Sequence, residues 1–327
     1  MRYPVYLKNK GIGLLLLCLF LGGCSTGFLG LAPLGDRKEY RHARDLYDEQ
    51  KYQEAVTELT GYIYKAGNVK RREARAYRLL GRSYEQLGQL NKALETYLEA
   101  LEFHPKKVPL LIAAAELYQR TGLIEQSQQL YARALQEEPH NLDALSGQAE
   151  NYRAFGFYSQ ARTYYDQFFA LNPQAASHYR ARYASTFLNQ NKFKEAFIHI
   201  TMALSEDPDQ PDYWLISAQA SFGLGRLEDS LSAIDTALLL APDRKDLQFY
   251  KMMGMYQAGD YQASLAQVKA FLKIHPQEPL ALLLLALNEE QLGFYPRART
   301  HLKQAAQRAD PKSFVSRVAN KLLAEWK

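Results

Sequence analysis

A regular spacing of prolines constrains the fold of this 327-residue chain more than any other feature. Seven of its 13 prolines recur at intervals of 34 or 35 residues. They are Pro105, Pro139, Pro173, Pro208, Pro242, Pro276 and Pro311. A fixed period of this length is typical of repeat proteins, in which each unit buries its apolar face against its neighbours. The spacing therefore predicts a solenoid.

The residues between two of these prolines follow the pattern of a helical hairpin. In residues 76–105, apolar side chains recur at helical spacing up to Leu87, Gly88 interrupts the pattern, and the period resumes from Ala93. Small residues recur at the twentieth position of each unit, where we expect two helices to approach closely and a larger side chain to cost about 1–3 kcal/mol. That position holds Ala55, Ala93, Ser127, Ala161, Ala196, Ser230, Ser264 and Ala298.

These residues resemble the tetratricopeptide repeat (TPR), whose signature is visible from Leu80-Gly81 to Pro105 and whose aromatic position Trp214 occupies. The resemblance implies an all-α fold, a right-handed superhelical solenoid of about eight helical hairpins. Residues 313–327 are expected to form a C-terminal capping helix. The predicted units are 36–69, 74–107, 108–141, 142–175, 177–210, 211–244, 245–278 and 279–312.

The amino-terminal residues have the pattern of a secretory signal. Three basic residues within the first ten positions precede the uncharged run GIGLLLLCLFL at 11–21. The following Leu-Gly-Gly-Cys resembles a bacterial lipobox, which implies a signal peptide at 1–23, cleavage after Gly23 and lipid on Cys24. Residues 24–35 would then be the lipidated cysteine and a flexible tether. Two alternatives are an uncleaved signal anchor, since residues 11–34 lack charge, and a cytoplasmic protein.

The predicted lipid anchor implies that the protein is located in the bacterial envelope. Ser25 follows the cysteine, and by resemblance to a lipoprotein sorting rule this favours the periplasmic side of the outer membrane. The inner membrane is the alternative. The anchor itself implies stable membrane attachment, because more than one acyl chain would be buried.

Composition argues against several classes of function. Two cysteines support neither a disulfide framework nor a four-cysteine zinc site, and the seven histidines show no metal-site spacing. No phosphate-binding loop or nucleophile elbow occurs, so we expect no catalytic residues, metal or cofactor. Removal of residues 1–23 takes away three basic residues and lowers the formal charge from +5 to +2, which does not favour nucleic-acid binding.

Two regions of the expected concave groove differ in character. By resemblance, positions two, five, nine and twelve of each unit face the groove. Near its amino end Arg71, Arg75, Arg78 and Arg82 recur at i, i+4, i+7 and i+11, which makes one helical stripe on that face. Four guanidinium groups suit an acidic peptide, a carboxy terminus or a lipid phosphate. The alternative is a solvated basic face, with Arg82 paired to a neighbouring glutamate. The Lys and Asn of the carboxylate-clamp TPR proteins are absent, so binding of chaperone tails is not predicted.

The carboxy end of the groove is predicted to be apolar. The same positions give Leu215, Phe222, Phe249, Met253, Tyr256 and Leu283. Such a surface suits an amphipathic helix or an extended peptide. The alternative is that Phe249, Met253 and Tyr256 are core residues, which a shift of one residue in register would produce.

The expected repeat fold and the expected location in the envelope together predict a non-enzymatic scaffold that holds protein partners in its groove. The chain resembles lipid-anchored TPR proteins that act as pilotins for type IV pilus secretins or that recruit cell-wall enzymes. The alternative is a signal-anchored TPR regulator of an envelope-synthesis enzyme at the inner membrane. Because a fold does not fix function, these remain expectations.

Overall fold

The computed structural model describes residues 38–64 and 73–326. Over these ranges it contains seventeen α-helices and no strand, which confirms the predicted all-α fold. The helices are α1 Lys38–Asp48, α2 Tyr52–Tyr64, α3 Ala74–Gln86, α4 Leu90–Phe103, α5 Val108–Arg120, α6 Ile124–Glu137, α7 Leu142–Ala154, α8 Tyr158–Leu171, α9 Ser177–Leu188, α10 Phe193–Glu206, α11 Pro211–Gly223, α12 Leu227–Leu240, α13 Lys245–Gln257, α14 Tyr261–Ile274, α15 Pro279–Gln291, α16 Tyr295–Arg308 and α17 Phe314–Glu325.

The helices form eight consecutive hairpins, and α17 follows the last one. Each helix packs against the next along the chain, and the odd-numbered helices also contact one another, as α3 contacts α5 and α5 contacts α7. The odd-numbered helices therefore share one surface, as expected for a TPR solenoid. The final helix α17 contacts both α15 and α16, so it covers the end of the last hairpin.

Tight turns join the two helices of a hairpin. Gly88, between α3 and α4, has a φ of 70°, a left-handed conformation that glycine adopts without steric cost. Asn191 takes the equivalent position between α9 and α10 with a φ of 56°, which asparagine tolerates better than most residues. These turns bring the second helix of each hairpin back against the first.

The small residues at the twentieth position lie where two helices meet, and some of them carry hydrogen bonds. Ser230 donates to the carbonyl of Ala218 at 2.9 Å, and Ser264 donates to that of Met252 at 2.9 Å. The side-chain amide of Asn288 donates to the Ser264 hydroxyl at 2.9 Å. The two serine hydroxyls and the Asn288 amide nitrogen are thereby paired, as a close-packed interior favours.

The hydrophobic core is divided along the solenoid. One large cluster of buried side chains extends from Tyr40 in α1 to Ala144 in α7. Beyond it the buried side chains fall into smaller clusters, each formed by a few neighbouring helices. Packing energy is therefore local, because each hairpin stabilises only the hairpins next to it.

Several predicted features fall on residues outside the described ranges. They are the signal peptide at 1–23, Gly23, Cys24, the tether at 24–35 and Arg71. For residues 38–64 and 73–326, none of the helices combines the length and the apolar character needed to cross a bilayer.

Candidate binding surface

The surface of the odd-numbered helices opens near its amino end into a groove of about 400 Å³. We call it the amino-terminal groove. Side chains of α3, α5 and α7 form most of its wall, with Tyr97 of α4 behind them. The lining residues are Arg78, Arg82, Glu85, Gln86, Tyr97, Pro109, Ile112, Ala113, Glu116, Asn141 and Asp143.

The structure separates the described arginines of the predicted basic stripe. Arg78 and Arg82 are exposed in the groove, and neither forms an ion pair with a residue of the described ranges. The Arg82 guanidinium lies 5.9 Å from the centre of the Tyr47 ring. Arg75 is engaged elsewhere, because its Nε lies 2.8 Å from a carboxylate oxygen of Glu73. Two of the predicted arginines are therefore available to a ligand.

The glutamate nearest these arginines is occupied by other groups. Glu85 accepts a hydrogen bond of 2.7 Å from the Tyr97 hydroxyl and forms an ion pair of 2.5 Å with Arg120 of α5. Burial of the phenol and the charge of Glu85 raise the pKa of Tyr97 above its usual value, so Tyr97 stays protonated and donates. The Tyr97 ring fits there because Gly81 has no side chain, and a Cβ on Gly81 would lie 2.2 Å from it.

The amino-terminal groove also has an acidic wall, formed on the helices that follow α3, which the basic stripe alone did not predict. Glu116 on α5 and Asp143 on α7 both line it. Desolvation raises the pKa of Glu116, and the negative charges of Asp143 and Glu85 raise it further. The positive charges of Arg120 and Arg82 oppose this rise without cancelling it. The groove is thus mixed in charge. A signal was present in the sequence, since both acids occupy groove positions of their units.

Farther along the same surface the charges neutralise one another. Glu150 of α7 pairs with Arg153 at 2.9 Å and with Arg182 of α9 at 3.5 Å. The hydroxyl of Tyr165 also donates to Glu150. This carboxylate is therefore satisfied within the protein and links α7 to α9.

A second opening lies between α11, α12 and α13 and has a volume of about 150 Å³. We call it the carboxy-terminal pocket. Phe222 and Met253, both predicted groove residues, line it and are 44% and 37% exposed. A hydrogen bond of 2.7 Å from Gln219 to the Tyr250 hydroxyl closes its rim. The full lining is Ala218, Gln219, Phe222, Ser230, Ile234, Tyr250, Met253 and Gly254.

The other predicted apolar residues lie against the core. Phe249 packs on Phe271 with ring centres 4.8 Å apart, and Tyr256 packs on Tyr261 at 5.4 Å. Leu215 is half-buried against the cluster between α11 and α13. For Phe249 and Tyr256 the core interpretation therefore describes the geometry better, because these side chains point toward α14.

Leu283 is only 3% exposed, which corrects its assignment to an open groove. The helix that carries it, α15, is packed between α14, α16 and α17. Because α17 takes the place that the first helix of a further repeat would have, it covers the surface of α15. The apolar surface available to a partner is thus shorter than the sequence suggested.

In the described part of the chain, no three His, Cys, Asp or Glu side chains are grouped in a way that could hold a metal ion. The distinctive features of the surface are exposed charges in one opening and exposed apolar side chains in the other. Both are means of binding a protein segment.

Comparisons with known proteins agree with this geometry. A segment of 106 residues is 30% identical to U-box domain-containing protein 70 of Oryza sativa subsp. japonica, covering 32% of this chain and 13% of that protein. The chain therefore matches only a small part of that relative.

Solved structures share the fold at low sequence identity. A chain of the APC/C Cut9–Hcn1 hetero-tetramer superposes with a TM-score of 0.55 at 15% identity, over 88% of this chain and 55% of that one. PilW, described as a type IV pilus biogenesis factor, gives 0.56 at 16% identity over 67% of this chain and 100% of its own. YrrB, described as a TPR protein with an unusual peptide-binding site, gives 0.51 at 17% identity over 62% and 97%.

The model of one family matches this chain directly. The matched segments are residues 40–107, 146–211 and 256–314, which together make up more than half of the sequence. With the hairpin architecture described above, this match establishes that the chain belongs to the tetratricopeptide repeat family.

Proposed function

We propose that this protein is a non-enzymatic interaction scaffold, anchored by lipid at Cys24 and facing the periplasm, that holds a partner protein against its odd-numbered helices. The observation that carries the proposal is the amino-terminal groove, in which Arg78 and Arg82 are exposed without a carboxylate partner in the described ranges. Charged groups left unpaired inside a concave surface favour a ligand of complementary charge.

The proposed place of action is the outer membrane, on its periplasmic side. The basic start, the apolar run at 11–21 and the Leu-Gly-Gly-Cys sequence support it. The fold shared with PilW over the whole of that protein supports a role in assembling a pilus or secretin complex, and recruitment of cell-wall enzymes is a role of the same kind. A signal-anchored regulator at the inner membrane is the alternative, favoured by the lack of charge from residue 11 to 34.

Site-specific crosslinking in intact cells tests the scaffold proposal. A photo-crosslinking amino acid replaces Ala113 in the amino-terminal groove, and the matched control position is Gln167, exposed on α8. We expect a defined partner to crosslink at Ala113 and not at Gln167. Reversal of both groove charges by Arg78→Glu with Arg82→Glu should abolish that crosslink, whereas Lys194→Glu with Lys269→Glu, two exposed lysines on second helices, should preserve it. Equal crosslinking at both positions would contradict the proposal.

Metabolic labelling tests the anchor separately. Radiolabelled palmitate should enter the wild-type protein and not Cys24→Ala, because only the cysteine thiol accepts the lipid. Equal labelling of the two would exclude the lipoprotein. Sucrose-gradient fractionation of the wild type then distinguishes the outer membrane from the inner membrane, and recovery of unlabelled protein with the inner membrane would favour the signal-anchored alternative.

A further inference from the structure

The amino-terminal groove contains unpaired charges of both signs on facing walls. Arg78 and Arg82 lie one turn apart on α3, and Glu116 and Asp143 lie on α5 and α7. None of the four forms an ion pair of 4.0 Å or less with a residue in the described ranges, so the cations and the acids line one cavity without a direct ion pair between them. The charges of Arg120 and Arg82 act on Glu116 only from a greater distance.

Two other carboxylates of the odd-numbered helices are paired within the protein. Glu85 is bound by Arg120 and the Tyr97 hydroxyl, and Glu150 is bound by Arg153 and Arg182. Glu116 and Asp143 line the same cavity as Arg78 and Arg82, but neither acid forms an ion pair of this kind within the described residues.

Ionisation of Glu116 on the acidic wall is disfavoured, because no cation is in direct contact with it in the described ranges. Glu116 has a raised pKa because the groove walls desolvate it and because Asp143 and Glu85 add negative charge. A cation supplied by a ligand would make ionisation less unfavourable, since an opposite charge close by favours the ionised carboxylate. Arg78 and Arg82 would instead favour an anionic group of the ligand, because a guanidinium group is always charged and forms its strongest hydrogen bonds with a carboxylate.

The lining between α3 and α7 also includes small and apolar side chains, which we call the floor. They are Ile112 and Ala113 on α5, and the cavity of about 400 Å³ is open to solvent. A chain segment can lie on this floor with one charged side chain directed to each wall. A wholly acidic segment would bring like charges toward Glu116 and Asp143, and a wholly basic one would bring them toward Arg78 and Arg82, which disfavours both.

We propose that the amino-terminal groove binds a partner segment that carries an acidic and a basic side chain a few residues apart, the acid against Arg78 and Arg82 and the base against Glu116 and Asp143. This inference rests on the proposed scaffold function and specifies the partner's chemistry. It also fixes the direction in which the segment lies, with its acidic end toward the first hairpins of the solenoid.

Model peptides and charge reversal test the assignment. The full chain in a non-ionic detergent is titrated against three fluorescein-labelled peptides of equal length: two Glu and two Lys separated by an Ala-Gly-Ala spacer, the all-Glu equivalent and the all-Lys equivalent. Fluorescence anisotropy should show that the wild type prefers the mixed peptide by about tenfold, as two charge-assisted contacts would give at low salt. The preference should weaken as salt screens the charges.

Two double variants should redirect the preference. Arg78→Glu with Arg82→Glu makes the groove wholly acidic, so it should select the all-Lys peptide. Glu116→Lys with Asp143→Lys leaves Glu85 as the only acid of the lining, and Glu85 is already bound by Arg120 and the Tyr97 hydroxyl, so this variant should select the all-Glu peptide. The control pair Lys194→Glu with Lys269→Glu should retain the wild-type order. Circular dichroism verifies folding, and the neutral pair Glu116→Gln with Asp143→Asn, which should only lose the preference over the all-Glu peptide, replaces any variant that misfolds.

The outcomes separate this inference from the proposed function. Equal affinity of the wild type for all three peptides, tightest binding of the all-Glu peptide, or the same preference in both reversal variants would overturn the mixed-charge assignment. If crosslinking at Ala113 still captured a partner, the scaffold function would stand and only the partner's chemistry would be wrong. Loss of the Ala113 crosslink with the peptide preference intact would instead count against the scaffold.

Discussion

The contact between Gly81 and Tyr97 gives the sharpest test of how the hairpins pack. A Cβ on Gly81 would lie 2.2, 2.5 and 2.8 Å from three atoms of the Tyr97 ring, distances that real side chains do not adopt. Tyr97 is fully buried and its hydroxyl is held by Glu85, so the ring has no space into which to move. Gly81→Ala must therefore separate α3 from α4.

The expected magnitude is the difference of two effects. Overpacking a core contact costs about 1–3 kcal/mol, and three ring atoms this close place the substitution near the upper end. Replacing glycine by alanine within a helix stabilises the helix by about 1 kcal/mol through its higher helix propensity. The net loss in the free energy of unfolding is therefore about 2 kcal/mol.

Gly61 in α2 provides the matched control. It is exposed, and nothing described lies within 4 Å of the position where its Cβ would be. Gly61→Ala should therefore raise stability by about 1 kcal/mol through helix propensity alone. Guanidinium chloride denaturation, followed by circular dichroism, should move the two midpoints in opposite directions. A Gly81→Ala midpoint at or above that of the wild type would refute the packing argument.

Three further predictions concern single side chains. Tyr97→Phe should lower the free energy of unfolding by about 1 kcal/mol in urea denaturation, because Glu85 loses its buried donor, whereas Tyr131→Phe should cost less, since its hydroxyl has no protein partner in the described ranges. Glu116 has a raised pKa, so protonation favours the folded state: its contribution to stability should grow as pH falls toward the usual carboxyl value of 4.5, and Glu116→Gln should remove that gain from midpoints measured against pH. His199 has a lowered pKa through burial, so its contribution should be lost as pH falls below its usual value of 6.5, and a chain with His199→Phe should lose less stability between pH 7 and about pH 5.

Periodicity predicted the fold well because the residues that define it act locally. The turn at Gly88 depends on the backbone of one residue, and the small side chains at Ala93 and Ser127 are needed wherever two helices touch. Each of these requirements repeats with the unit. A single sequence therefore contained several independent copies of the same evidence for a hairpin solenoid.

The binding surface was harder to predict because it depends on individual side-chain contacts that do not repeat with the unit. Arg75 and Arg78 occupy equivalent-looking places in the sequence, but Glu73 engages the first and leaves the second free. Leu283 follows the groove pattern, but it is buried because α17 lies over α15. Such outcomes depend on which side chains come within contact distance in the folded protein, and helical spacing does not contain that information.

The division of the hydrophobic core has a mechanical consequence. The cluster from Tyr40 to Ala144 joins the first hairpins into one stiff block, whereas the later hairpins are held by smaller, separate clusters. Under tension between the two ends of the solenoid, we expect the hairpins beyond α7 to separate first, because smaller clusters hold them together. The amino-terminal groove, formed by the hairpins of the large cluster, should then keep its shape while the later hairpins extend.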